Sequence, residues 1–253
     1  MDNERMVLKT FGDGLNAVVI GSTGGIGRAL ATELRACPAV SKIISFSRSV
    51  QLDDVGSNQA LQIDLENELS ITSAAQSIKT LLGELDIVFV ATGVLHEGSE
   101  IHPEKTWRSL TSISLETLFK INTVGPALVA KHFLPLLKKN RKTVFGILSA
   151  RVGSINDNHL GGWYSYRASK AALNMMIKTL SIELRRRNSK AICVGLHPGT
   201  VDTPLSKPFQ NNVPLEKLFT PEQSAKHLLT VVDKLQEADS GHIFAWDGNR
   251  IPC

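Results

Sequence analysis

Apolar residues fall along this chain in two alternating rhythms. Short runs, mostly apolar, occupy residues 15–21, 42–46, 60–63, 85–91, 143–149, 191–197 and 242–246. Between them lie longer stretches with helical spacing of apolar positions, at 26–36, 71–82, 117–139, 164–187 and 221–235. A short continuous apolar run reads as a strand buried on both faces, and strands alternating with helices build a parallel sheet covered on both sides. The pattern therefore predicts a doubly wound α/β fold, a Rossmann-type sheet of about seven strands, with its ligand at the carboxyl ends of the strands. Cys37-Pro38 supplies a stop for the first helix. No internal repeat, low-complexity segment or linker interrupts residues 1–253, which read as one domain. The stretch 203–220 is too long for a simple connection and predicts a lid.

Composition narrows the function classes. With 42% hydrophobic and 21% charged residues the chain has ordinary globular usage, and its length buries a core without disulfides or metals. Cys37, Cys193 and Cys253 are odd in number and lack metal-type spacing, so a reduced compartment is expected and no metal site. The net charge is +4, with basic and acidic residues intermixed, which argues against a nucleic-acid partner. The run Arg185-Arg186-Arg187 closes a predicted helix, where cations oppose the negative end of the dipole. No run of 18 apolar residues exists to span a membrane, and the polar start Met1-Asp2-Asn3-Glu4-Arg5 lacks a signal peptide's apolar region. A cytoplasmic location is the expectation.

Three places carry candidate chemistry. The first strand runs into Gly21-Ser22-Thr23-Gly24-Gly25-Ile26-Gly27 and then a helix. Glycines there allow positive φ and close backbone approach, and a helix N-terminus offers free N–H groups to an anion. A dinucleotide pyrophosphate suits that turn. The second strand ends in Ser47-Arg48, where NAD enzymes of such folds place an acid on the adenosine ribose. An arginine binds a 2′-phosphate instead, so NADP(H) is preferred and NAD(H) is the alternative. Tyr166-Arg167-Ala168-Ser169-Lys170 opens a predicted helix, and residues four apart share one face. Reducing a carbonyl requires a proton donor. A phenol titrates near pKa 10 until a neighbouring cation favours the phenolate, and Lys170 is such a cation.

The spacing Gly21-x-x-x-Gly25-x-Gly27 together with Tyr166-x-x-x-Lys170 resembles the short-chain dehydrogenase/reductase family over nearly the whole chain. Residues 153–166 resemble a narrower subgroup, the C-factor-like and carbonyl-reductase-like proteins. The resemblance implies an NADP(H)-dependent oxidoreductase acting on a ketone, aldehyde or alcohol. Tyr166 would be its acid/base, and Lys170 the phenol's electrostatic partner and a ribose ligand. Asn122, by itself a candidate helix kink or cap, would hold a water in a proton relay. Asp64 and Leu65 would contact the adenine, and Ala91 and Gly93 would border the cofactor, although Ala91-Thr92-Gly93 stands where the family usually has Asn-Ala-Gly, so a structural amide is missing. Pro198, Gly199, Val201 and Thr203 would face the nicotinamide carboxamide.

The family's second fifth-strand serine, which orients the substrate carbonyl, falls at Ala150 in this chain. Ser149 fills the role if the strand end bulges; otherwise Ser154 does, or no serine. Trp163, Tyr164, Leu160 and the 203–220 stretch are expected to wall a partly apolar substrate site, with His159 a surface histidine. A small-molecule substrate and a homodimer or homotetramer follow from the resemblance. The competing implication is a catalytically weak signalling protein of the C-factor type.

Overall fold

The computed structural model describes residues 8–49, 60–98, 100–211 and 213–253. Its central sheet runs β3–β2–β1–β4–β5–β6–β9–β10, and every pairing is parallel except the last. The strands are β1 (Leu15–Ile20), β2 (Val40–Ser47), β3 (Ala60–Gln62), β4 (Ile87–Val90), β5 (Thr143–Leu148), β6 (Ala191–His197), β9 (Ile243–Ala245) and β10 (Arg250–Ile251). Their apolar runs follow from burial on both faces. Val18 and Ile20 of β1 join a core with α2 (Glu68–Leu81), α4 (Gly125–Phe133) and α5 (Tyr164–Arg187). The alternate residues Ala17 and Val19 join a second core with α1 (Gly25–Ala36) and α6 (Pro221–Lys234).

The chain runs β1–β2–β3 to one side and then crosses back to place β4 on the other side of β1, so the strand order switches between β1 and β4 and a crevice opens at their carboxyl ends. A small pair, β7 (Thr200–Val201) with β8 (Leu218–Phe219), ties together the two ends of the expected lid. At the opposite end of the sheet, buried Asp86 accepts hydrogen bonds from Asn16 N, Lys138 Nζ and Arg141 Nε at 2.7, 2.9 and 2.7 Å.

Two sequence expectations need correction. The single helix expected over 117–139 is broken: α3 (Ser112–Phe119) passes through a π-helical turn at Lys120–Val124 into α4, and Leu134–Leu136 is a 3₁₀ turn. Pro126 explains the widening. It has no N–H for the carbonyl of Asn122 four residues back, and its ring clashes there. The expected last strand is also shorter and turns through Asp247-Gly248 into β10, an antiparallel edge strand. Among the described residues no helix is long and apolar enough to cross a membrane.

Candidate active site

Gly21 leaves β1 with φ +93°, a conformation that favours glycine, and a β-carbon there would lie 2.9 Å from the Ala91 carbonyl oxygen. The Gly21 and Ser22 N–H groups donate to Phe46 O at 2.8 and 3.0 Å, which pins the turn to β2; the Ser22 hydroxyl donates there too. Gly24 caps α1 without a side-chain bond, and no acid stands in the helix's first turn. The N–H groups at Gly25, Ile26 and Gly27 begin that helix and suit an anion. Thr203 lies over them, since a β-carbon on Gly25 would approach its methyl group to 2.7 Å.

A cleft of about 300 Å³ follows the strand ends from this turn. It is lined by Gly21 and Thr23, by Ser47 and Arg48 after β2, by Asp64 and Leu65 after β3, and by Ala91 and Gly93 after β4. Gly24, Ser49, Ile63, Glu66, Thr92, Val94, Glu97 and Ile121 line it as well and were not among the expected site residues, because no local spacing in the sequence assigns them to the cleft. Arg48 is exposed at the rim, whereas Ser47 is buried and its hydroxyl donates to Ser49 O at 2.6 Å.

At the far end of the cleft, three expected residues converge. A β-carbon on Gly93 would stand 3.3 Å from Asn122 Oδ1 and 3.5 Å from Lys170 Nζ. Lys170 is buried on α5, donates to Leu148 O at 3.0 Å, and holds Nζ 5.9 Å from the centre of the Tyr166 ring. Asn122, in the π-helical turn, accepts from Val94 N at 2.9 Å. Its amide donates to Val94 O at 2.8 Å and to Ser169 Oγ at 3.1 Å. The π-helical turn is thereby tied both to the strand-end loop and to the helix bearing Tyr166 and Lys170.

Burial sets the electrostatics. Desolvation pushes the Lys170 ammonium down to about 8 and the Tyr166 phenol up to about 12. Burial thus opposes the downward pull that a neighbouring Lys170 cation exerts on the phenol. His197, at the end of β6, is pushed down to about 4 by burial, with Arg151 adding to the shift.

Tyr166 packs with Leu95, Ile101 and Leu118, and Val94, Ala150, Val152, Trp163, Leu205 and Phe209 border that cluster. The Trp163 ring lies tilted 5.0 Å from Phe209 of the 203–220 stretch and edge-on 6.3 Å from Tyr166. The other expected wall residues lie elsewhere. Leu160 is 93% exposed, and Tyr164 is half-buried outside the cluster, two residues and roughly 200° around the helix from Tyr166. His159 is exposed.

Ala150 faces the Tyr166 cluster, while the Ser149 hydroxyl is buried and donates to Asn174 Oδ1 at 2.6 Å. Ser154 Oγ is engaged with Cys253 O and Asp157 N. Neither serine hydroxyl is turned to the Tyr166 cluster: β5 stays regular to Leu148, so Ser149 and Ala150 face opposite sides, and Ser154 lies beyond the following turn with its hydroxyl held by Cys253 and Asp157. Gly199 reaches φ +79° against Phe219 and Trp246, and Pro198 O accepts from Ser224 at 2.9 Å, which carries Val201 and Thr203 back toward the glycine turn.

A family model described as short chain dehydrogenase matches residues 15–214. The 1-hydroxy-2-glutathionyl-2-methyl-3-butene dehydrogenase of Rhodococcus sp. is 30% identical over 233 residues, covering 91% of this chain and 96% of that protein. C-signal of Myxococcus xanthus is 34% identical over 134 residues, covering 53% of this chain and 75% of its own. Among solved structures, the NADPH-bound carbonyl reductase from chicken fatty liver superposes with a TM-score of 0.82 at 25% identity, covering 95% of this chain and 100% of that one.

Proposed function

The chain belongs to the short chain dehydrogenase family, and we propose that it is an NADP(H)-dependent oxidoreductase that interconverts a carbonyl compound and its alcohol. The observation that carries this reading is the convergence of Asn122 and Lys170 on Gly93, at the end of a cleft that begins at the glycine turn and beside the Tyr166 ring. The residues fit a dinucleotide: Gly21 and Gly27 let β1, the turn and the first turn of α1 pack backbone against backbone, and the start of α1 suits a pyrophosphate. Ser22, Thr23, Gly25, Ile26 and Gly27 would hold it. Ser47 and Arg48 would receive the adenosine 2′-phosphate, and Asp64 and Leu65 the adenine. Ala91, Gly93, Pro198, Gly199, Val201 and Thr203 would border the nicotinamide, which supplies the hydride when bound.

In the reducing direction Tyr166, held neutral by burial, gives its proton to the carbonyl oxygen as negative charge develops there. Lys170 stabilises the phenolate that remains. The Asn122 amide is already committed to Val94 and Ser169, so any water bridging to Lys170 meets the Asn122 carbonyl, which Pro126 leaves without its usual helical partner. The chain's NAD(P)H enzymology thus uses one hydroxyl, that of Tyr166, at the carbonyl. Ser149 braces α5 through Asn174. The apolar surroundings of Tyr166 favour a partly apolar ketone or aldehyde. Buried, unpaired Cys37 and Cys193 support a cytoplasmic setting, and an exposed stripe on α5 supports a homodimer or homotetramer.

Assaying NADPH consumption against a panel of ketones, aldehydes and quinones tests the reading. Ala150 favours a second one, a nucleotide-binding signalling protein of the C-factor type. NADPH binding without turnover of any panel member would decide for the second.

A further inference from the structure

Three consecutive residues before α5 are left-handed: Gly161 at φ +64°, Gly162 at +68° and Trp163 at +53°. Trp163 is the one non-glycine residue of positive φ among the described residues, and strain of this kind persists only where the surroundings enforce it. Trp163 also occupies the N-cap position of α5 and offers no side-chain cap, so the first N–H groups of the helix need another acceptor.

Glu104, from the segment between β4 and α3, meets both needs. It is 4% exposed. Its Oε2 accepts from Ser165 N at 3.1 Å, its Oε1 from the Ser165 hydroxyl, and its carbonyl from Trp163 N. A carboxylate at a helix N-terminus is favoured by the dipole as well as by the hydrogen bonds. On the other side Arg167 donates from Nε to Gly162 O at 3.0 Å and from Nη1 to Val152 O at 3.3 Å. The turn is thus held by the Glu104 carbonyl on Trp163, by the Glu104 carboxylate on Ser165 at the start of α5, and by the Arg167 guanidinium on Gly162 and Val152, and its product is the placement of the Trp163 ring between Phe209 and Tyr166.

We propose that Glu104 is a positioning residue: it holds Trp163 left-handed and so sets the aromatic wall of the substrate pocket beside Tyr166. The proposal rests on the oxidoreductase reading only for its kinetic consequence; the geometry of Trp163 can be read without turnover.

The experiment uses the full chain with Trp107→Phe and Trp246→Phe, which leaves Trp163 as the single tryptophan of three. Glu104→Ala is expected to shift Trp163 emission to the red and increase its quenching by acrylamide. Catalytic efficiency on a carbonyl substrate is expected to fall by about tenfold or more, mainly in KM, with NADPH affinity unchanged. Glu104→Gln keeps one acceptor at the same reach and is expected to recover most of the native emission. If Glu104 merely stabilises the fold, Glu104→Ala lowers the melting temperature while the emission of the folded state stays native, and that result overturns the proposal. Should Glu104→Ala fail to fold, Ser165→Ala/Glu104→Gln removes the hydroxyl contact and weakens the amide contact; native emission there overturns it equally. Should no carbonyl compound be turned over, the oxidoreductase reading fails, and the fluorescence still decides the role of Glu104.

Discussion

A β-carbon on Gly27 would stand 2.1 Å from the carbonyl oxygen of Gly21, so the first turn of α1 lies directly on the turn that leaves β1. Backbone on both sides leaves no flexible group to yield. Gly27→Ala is therefore expected to push α1 off the turn and weaken NADPH binding by about a hundredfold or more, at an overpacking cost of roughly 1–3 kcal/mol. Fluorescence titration of NADPH checks this, and native affinity in the variant would show that the pyrophosphate binds elsewhere.

Much of this cleft was legible in the sequence because glycine spacing and strand position report backbone geometry directly. The strands were legible because both faces are buried, so that Val18 and Ile20 serve one core and Ala17 and Val19 the other. The π-helical turn at Lys120–Val124 was not: apolar spacing continues through it, and a single proline at 126 causes the break. Which of Ser149 and Ala150 faces Tyr166 depends on whether a strand end bulges, and no residue type in 143–150 signals that. Glu104 was invisible for another reason. Its partner lies 61 residues away, and a cap supplied from another segment leaves no local pattern.

Cofactor choice turns on Arg48, exposed at the rim of the cleft beside the buried Ser47. NADPH is expected to bind at least about tenfold more tightly than NADH, and Arg48→Ala to remove that preference while leaving NADH affinity intact. Superimposable titration curves for the two cofactors in the native protein would contradict it.

The buried Lys170 gives a pH dependence with a definite sign. Its pKa is lowered to about 8, so its charge is lost as pH rises through that value, well before an ordinary lysine titrates. Tyr166 stays protonated in the same window because its own pKa is raised to about 12. The efficiency of carbonyl reduction is expected to be level below pH 8 and to fall about tenfold per unit above it. A profile that stays level two units higher would remove the ammonium from the reaction.

The expected assembly would use α5. Ala168, Ala172, Met175, Thr179 and Ile182 follow one side of the helix, with Met175 66% and Ile182 49% exposed. A monomer gains little from such a stripe. Sedimentation at micromolar concentration is expected to give twice or four times the 27.5 kDa chain mass, and the single-chain mass would contradict the pairing.

Tyr166→Phe tests the central claim most directly. The substitution removes one hydroxyl from a ring packed against Leu95, Ile101 and Leu118, and leaves the glycine turn and Arg48 untouched. On any carbonyl substrate found, kcat is expected to fall by roughly a hundredfold to ten-thousandfold, the range general acid catalysis supplies, with NADPH affinity nearly native. Native turnover in the folded variant, with NADPH still bound, would contradict Tyr166 as the proton donor.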